Sequence, residues 1–118
     1  MQYMLLLYGD EAPFEDMTPE DLAASMPEWE AFGRRFEAII RGGEALQTTK
    51  SASTVTVRDG KTTISDGPFA EAREQLGGYY VLECDLDQAL EAAAACPGAH
   101  FGTVEVRPVM IFPSDDSA

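Results

Sequence analysis

Ser65-Asp66-Gly67-Pro68-Phe69-Ala70-Glu71-Ala72-Arg73-Glu74-Gln75-Leu76-Gly77-Gly78-Tyr79-Tyr80 lies near the middle of the chain and divides it into two β-containing halves. A strand ending at Ser65 breaks at Asp66-Gly67-Pro68, where glycine permits positive φ and proline removes a backbone donor. A polar excursion follows until Gly77-Gly78 releases the chain into a strand, Tyr79 to Glu83. A plain hairpin needs roughly two to five connecting residues, so this connection is longer than topology demands. It carries Phe69 and four ionisable groups, Asp66, Glu71, Arg73 and Glu74. Loops held by rigid strands concentrate function, which places the candidate site here.

Upstream of that stretch, Thr54-Val55-Thr56-Val57-Arg58 alternates cleanly, and Asp59-Gly60 is a two-residue hairpin signal leading into Lys61 to Ser65. Glu44 to Thr49 reads as a further strand. Before it, Thr18-Pro19-Glu20-Asp21 predicts a helix start, with a Thr cap, a first-turn Pro and acids at the positive end. Ser25-Met26-Pro27-Glu28 repeats the signature and predicts a kink or restart near Pro27. Trp29, Phe32, Phe36, Ile39 and Ile40 recur at helical spacing as one apolar face, and Gly42-Gly43 supplies a stop. Tyr3 to Tyr8 has no polar alternation, the mark of a strand covered on both faces. The acidic Gly9-Asp10-Glu11-Ala12-Pro13 ends it.

Downstream, Asp85 and Gln88 form a capping-box start for a helix from Leu86 to Ala95, whose buried face is expected at Ala89, Leu90, Ala93 and Ala94. Pro97-Gly98 ends it. Gly102 to Arg107 is the last strand, and Pro108 marks an edge or exit. Residues 1–113 form one domain, and 114–118 a flexible polar tail. The order β–α–β, hairpin, β–α–β predicts an α+β fold. It is a ferredoxin-like sandwich with an extra hairpin, a mainly antiparallel sheet with two helices on one face. Tyr3–Tyr8 and Tyr79–Leu82 are apolar on both sides, so the other sheet face needs a cover. A second copy of the chain supplies it, predicting a homodimer.

An apolar fraction of 45% fits a globular chain. With 21 acidic and 8 basic residues the net charge is −13, which opposes a nucleic-acid backbone and favours solubility. Cys84 and Cys96 lack CxxC spacing and read as buried thiols. Gln2 to Tyr8 lacks a basic start and a cleavage site, so it is neither signal peptide nor membrane span. The expected location is cytoplasmic. No metal constellation, phosphate loop or dinucleotide glycine fingerprint is present, and no cofactor is expected.

Alternation along the last strand separates Val104 and Val106 from Thr103, Glu105 and Arg107. With the valines on the helices, Glu105 and Arg107 face the inter-subunit cavity. Arg107 either holds a ligand's anionic oxygen or forms a structural ion pair with a glutamate or with Asp66. Asp66 either caps its own turn or, among Phe69 and Tyr79, serves as a general base. Tyr8 and Asp10 end the first strand, where their polar ends reach the same cavity, although Tyr8 also suits core packing. His100 reads as a solvated histidine in the helix-to-strand connection.

Asp66-Gly67-Pro68-Phe69, Glu71 and Glu74-Gln75-Leu76-Gly77-Gly78-Tyr79 resemble the DGPF-domain branch of the YCII-related proteins. So do Tyr3-Met4-Leu5-Leu6, Tyr8-Gly9-Asp10-Glu11, Asp85-Leu86-Asp87 and Gly102 to Pro108. The resemblance spans nearly the whole chain and implies a dimeric α+β barrel, two ferredoxin-like protomers packed sheet to sheet. The wider family is associated with a His–Asp pair whose histidine lies in the N-terminal half, and this chain has no histidine before His100. That mechanism does not transfer. The scaffold hosts isomerase and dehydrohalogenase chemistry, which implies a small organic ligand, cofactor-free proton transfer by Asp66 and anion binding by Arg107. Members of the branch also resemble proteins encoded beside extracytoplasmic-function sigma factors, which implies the alternative of a non-catalytic regulatory module with a protein partner.

Overall fold

A computed structural model describes residues 1–113, so the tail expected at 114–118 lies outside the described residues. The elements run β1 (Gln2–Asp10), α1 (Ala12–Glu15), α2 (Pro19–Arg35), β2 (Ile40–Ala45), β3 (Ser53–Arg58), β4 (Lys61–Asp66), β5 (Glu74–Glu83), α3 (Leu86–Ala95), α4 (Gly98–Phe101) and β6 (Thr103–Pro108). Four strands form an antiparallel sheet in the order β2-β5-β1-β6, and β3 pairs with β4 alone as a projecting arm. Each long helix carries the chain from a central strand over its neighbour to an edge. This is the ferredoxin-like split βαβ arrangement, with a hairpin inserted before β5.

One sheet face is packed by α2 and α3. Tyr3, Leu5 and Leu7 of β1, Tyr80 and Leu82 of β5, and Val104 and Val106 of β6 meet Trp29, Phe32 and Phe36 and the small residues Ala89, Ala92 and Ala93. Phe32 is the hinge of this layer, its ring 5.1 Å from both Phe36 and Tyr80. Alanines on α3 let that helix approach closely enough to bury Leu5, Leu82 and Cys96 completely.

Several boundaries differ from expectation. Helix α2 runs unbroken through Pro27 with a single start, its capping box joining Thr18 and Asp21. It ends at Arg35, so Ile39 and Ile40 reach the core from the turn and from β2. Gly42-Gly43 therefore sits inside a strand and is no helix stop. The second strand is Ile40–Ala45, not Glu44–Thr49, which instead contains the start of a short 3-10 turn at Thr49–Ser51. Strand β5 begins at Glu74, so the central connection is only residues 67–73. Glu74, Gln75 and Leu76 pair with Asp10, Gly9 and Tyr8, and a bulge at Gly77 restores the register. On α3, Ala92 is buried, while Leu90 and Ala94 are exposed. Residues 98–101 form the short helix α4 rather than a plain connection. Cys96 is buried as expected, but Cys84 is only partly so.

Candidate functional site

Among the described residues, nothing covers the face of the sheet opposite the helices. Cross-strand partners share a face, so the register lays two rows across it. Glu105, Leu6, Tyr79 and Glu44 form one; Arg107, Met4, Val81 and Gly42 form the other. Met4, Leu6, Tyr79 and Val81 are all half-buried, and Glu105 and Arg107 are exposed at the β6 edge. Tyr8 continues the face beyond Leu6, and its hydroxyl donates to Glu105 Oε1 at 3.3 Å. Beside it the Thr103 hydroxyl donates to Glu74 Oε1 at 2.9 Å. Burial raises the Tyr8 phenol above its ordinary value, and the Glu105 carboxylate adds to this while Arg107 opposes it. A neutral phenol is thus held against a carboxylate, with a guanidinium close enough to act on the phenol.

A second polar site lies beyond the end of β1. There a groove of about 430 Å³ is lined by Asp10, Glu11, Lys50, Gly67, Pro68 and Arg73, among others. Asp10 accepts from the Ala12 N–H at 2.9 Å and faces Arg73 Nε at 3.9 Å. Glu11 accepts from the Thr49 N–H at 2.8 Å and from the Thr49 hydroxyl. Lys50 pairs with Glu15 at 3.4 Å. Gln75 folds the central connection by donating to the Ala70 and Ala72 carbonyls at 3.1 Å each.

The glycine of the motif is structural. Gly67 has φ +95°, a region an L side chain rarely adopts. Its N–H donates to the Ala52 carbonyl at 2.8 Å, and its own carbonyl accepts from the Thr54 hydroxyl at 2.7 Å, closing the base of the arm. Asp66, the last residue of β4, is exposed and makes no side-chain hydrogen bond to the turn that follows, so the expected self-capping is absent. Phe69 is 86% exposed.

The chain therefore scatters the expected residues, with Asp66 and Phe69 exposed at the base of the arm, apart from the others. Tyr8, Glu105, Arg107 and Tyr79 share the uncovered face, and Asp10 lines the groove at its end. Arg107 is in register with Met4, six positions before Asp10 on β1, or roughly 20 Å along the strand. Asp66 and Arg107 form no ion pair with each other within one chain, and neither lines the groove. His100 is exposed on α4. Among the described residues no group of His, Cys, Asp and Glu has the geometry to hold a metal, and no helix is long and apolar enough to cross a membrane. Sequence alone does not point to Glu11, Thr49 and Lys50 as site residues. The acidic run Gly9–Pro13 is the local signal, and its partner Thr49 is far away in the chain.

Compared with known proteins, residues 1–113 match the YCII-related domain. A protein of Rhizobium meliloti (strain 1021), described as uncharacterised, is 32% identical over 117 residues, covering 95% of this chain and 94% of that one.

Proposed function

The chain belongs to the YCII-related domain family, and from that premise we propose that it is a homodimeric small-molecule-binding protein of the DGPF-marked branch. Its cleft between subunits performs cofactor-free acid–base chemistry of the isomerase or lyase type. The observation that carries this reading is the Tyr8–Glu105 hydrogen bond beside Arg107, on a sheet face that is half apolar and uncovered. Members of the family are typically dimeric α+β barrels, in which such faces meet. Enclosing this face removes water from the three groups and strengthens every charge interaction among them.

In the cleft, Arg107 holds an anionic oxygen of the substrate with its planar fork. A carboxylate, Glu105 or Asp66, moves a proton to or from the adjacent carbon, and the Tyr8 hydroxyl completes the hydrogen-bonding set. Phe69 and Tyr79 supply apolar walls, and Asp10 marks the polar end. A thermal-shift screen of small carboxylates, carbonyl compounds and phenols tests the reading on wild type, Glu105→Gln, Arg107→Ala and Asp66→Asn. The expected hit adds about 2.7 kcal/mol of stability to the wild type at a hundredfold excess over Kd, read as a higher melting temperature. It stabilises the variants much less, and mass spectrometry of the recovered ligand detects conversion. A ligand that stabilises all four proteins equally puts the site elsewhere in the chain.

A second reading is a regulatory module linked to sigma-factor-dependent transcription through a protein partner. It is favoured by the exposed apolar run Met110-Ile111-Phe112 after β6. If that run stays exposed in the purified dimer and no small molecule binds, this second reading replaces the first.

A further inference from the structure

The β3–β4 arm wears its apolar side outward. Val55 pairs with Ile64 and Val57 with Thr62, so these four share one face of the ribbon with Asp66 at its base. Val55, Val57 and Ile64 are 58%, 55% and 69% exposed, while Thr54 and Thr56 on the opposite face are partly covered. An isolated two-stranded ribbon is marginally stable in water, and a ribbon with its β-branched residues turned to solvent forfeits what would hold it. The arm also extends the protomer, whose radius of gyration is 16.7 Å, where a compact chain of this length has about 13.5 Å.

Charge identifies what the arm meets. From Ser53 to Asp66 the sequence has two bases, Arg58 and Lys61, and two acids, Asp59 and Asp66, so the arm is neutral and the whole net charge of −13 lies outside it. Arg58 and Lys61 face each other at the tip, and among the described residues neither forms a salt bridge. A neutral apolar ribbon whose tip carries two cations and one acid, Asp59, complements a strongly acidic body carrying a half-apolar open face. This chain has such a face. In a two-fold dimer each protomer offers both parts, which closes the contact.

We propose that in the dimer the arm of each protomer lies on the other, its Val55–Val57–Ile64 side against the β6 edge of the partner's uncovered sheet, so that Asp66 of one chain joins the partner's Arg107 in a composite site. For the chemistry of that site the inference rests on the ligand-binding reading above; the docking of the arm does not. It accounts for two residues that are separate within a protomer and that, among the described residues, form no salt bridge there.

The test is cross-linking between differently marked chains. Asp66→Cys and Arg107→Cys are each made in a Cys84→Ser background, leaving only the buried native thiol Cys96. The two proteins are equilibrated together and treated with a short bis-maleimide. The expected result is a covalent species of twice the monomer mass in the mixture, at least tenfold more abundant than with either protein alone. Absence of that species from a mixture that sediments as dimer overturns the proposal, as does a cross-link formed within one chain by the double variant. A mixture that sediments as monomer overturns it too. Independently, Ile64→Asp, which touches none of the buried core, should weaken dimerisation at least tenfold with an unchanged far-ultraviolet spectrum; unaltered dimerisation counts against the arm. If cross-linking fails while a ligand still distinguishes wild type from Glu105→Gln, the composite site falls and the ligand-binding reading stands.

Discussion

A Cβ at Gly43 would lie 2.6 Å from the Tyr79 carbonyl oxygen and 2.9 Å from Tyr80 Cδ1. The nearer contact is backbone and cannot swing away, and the farther belongs to a ring packed at a 57° tilt against Phe32. Gly43→Ala should therefore cost about 1–3 kcal/mol, as overpacking does, read as a lower urea midpoint at unchanged slope. In the sequence Gly42-Gly43 is visible only as a breaker, because the crowding comes from a strand far along the chain. Titration offers a second test at single residues. Burial raises the Cys96 thiol, and it also raises the Tyr80 and Tyr8 phenols. For each, the folded state holds its proton more tightly than the unfolded state does. The resulting stability is complete below the unfolded value and is lost as pH rises through the folded one. Urea midpoints should therefore fall as pH passes the ordinary thiol value of 9.0 and fall further beyond the phenol value of 10.0. Cys96→Ala should show a shallower alkaline decline, from a lower neutral-pH starting point set by the cavity it leaves.

The two long helices begin where local chemistry dictates. At α2 the Thr18 hydroxyl accepts from the Asp21 N–H and the Asp21 carboxylate from the Thr18 N–H, each at 3.1 Å; at α3 Asp85 and Gln88 do the same. Thr18→Ala removes one half of the first box and should cost about 1 kcal/mol, seen in the thermal or urea midpoint. Such starts are legible because donor and acceptor sit three residues apart. So is the arm's turn, where Asp59 and Gly60 take φ values of 53° and 75°. Ends are less legible. Ile39 and Ile40 fit both a helical stripe and a strand, and only pairing with β5 decides between them. Glu74 to Leu76 look like loop until β1 is set beside them. The candidate site divides the same way. Alternation alone separates Glu105 and Arg107 from Val104 and Val106, whereas the groove depends on Glu11 meeting Thr49, a contact no local pattern announces.

At the scale of the molecule, the sheet is finished on one side only. Leu5 and Leu82 are fully buried beneath the helices, while Met4, Leu6, Tyr79 and Val81, from the same two strands, keep part of their surface in water. Apolar area left in this state is worth about 25 cal/mol per Å² once covered, and a stable protein–protein interface typically buries on the order of 800 Å² per partner. Sedimentation should accordingly give twice the 12.8 kDa chain mass. Because folding is then coupled to association, the wild-type melting temperature should climb with protein concentration. Leu6→Asp places a charge in the middle of the uncovered face, between Tyr79 and Glu105, without touching the helix-side core. It should sediment as a folded monomer with a concentration-independent melting temperature, and it should lose any ligand response along with the dimer. A Leu6→Asp protein that remains dimeric would mean that this face is not where the two copies meet, and the cleft would then have to be sought at the groove around Asp10 and Arg73.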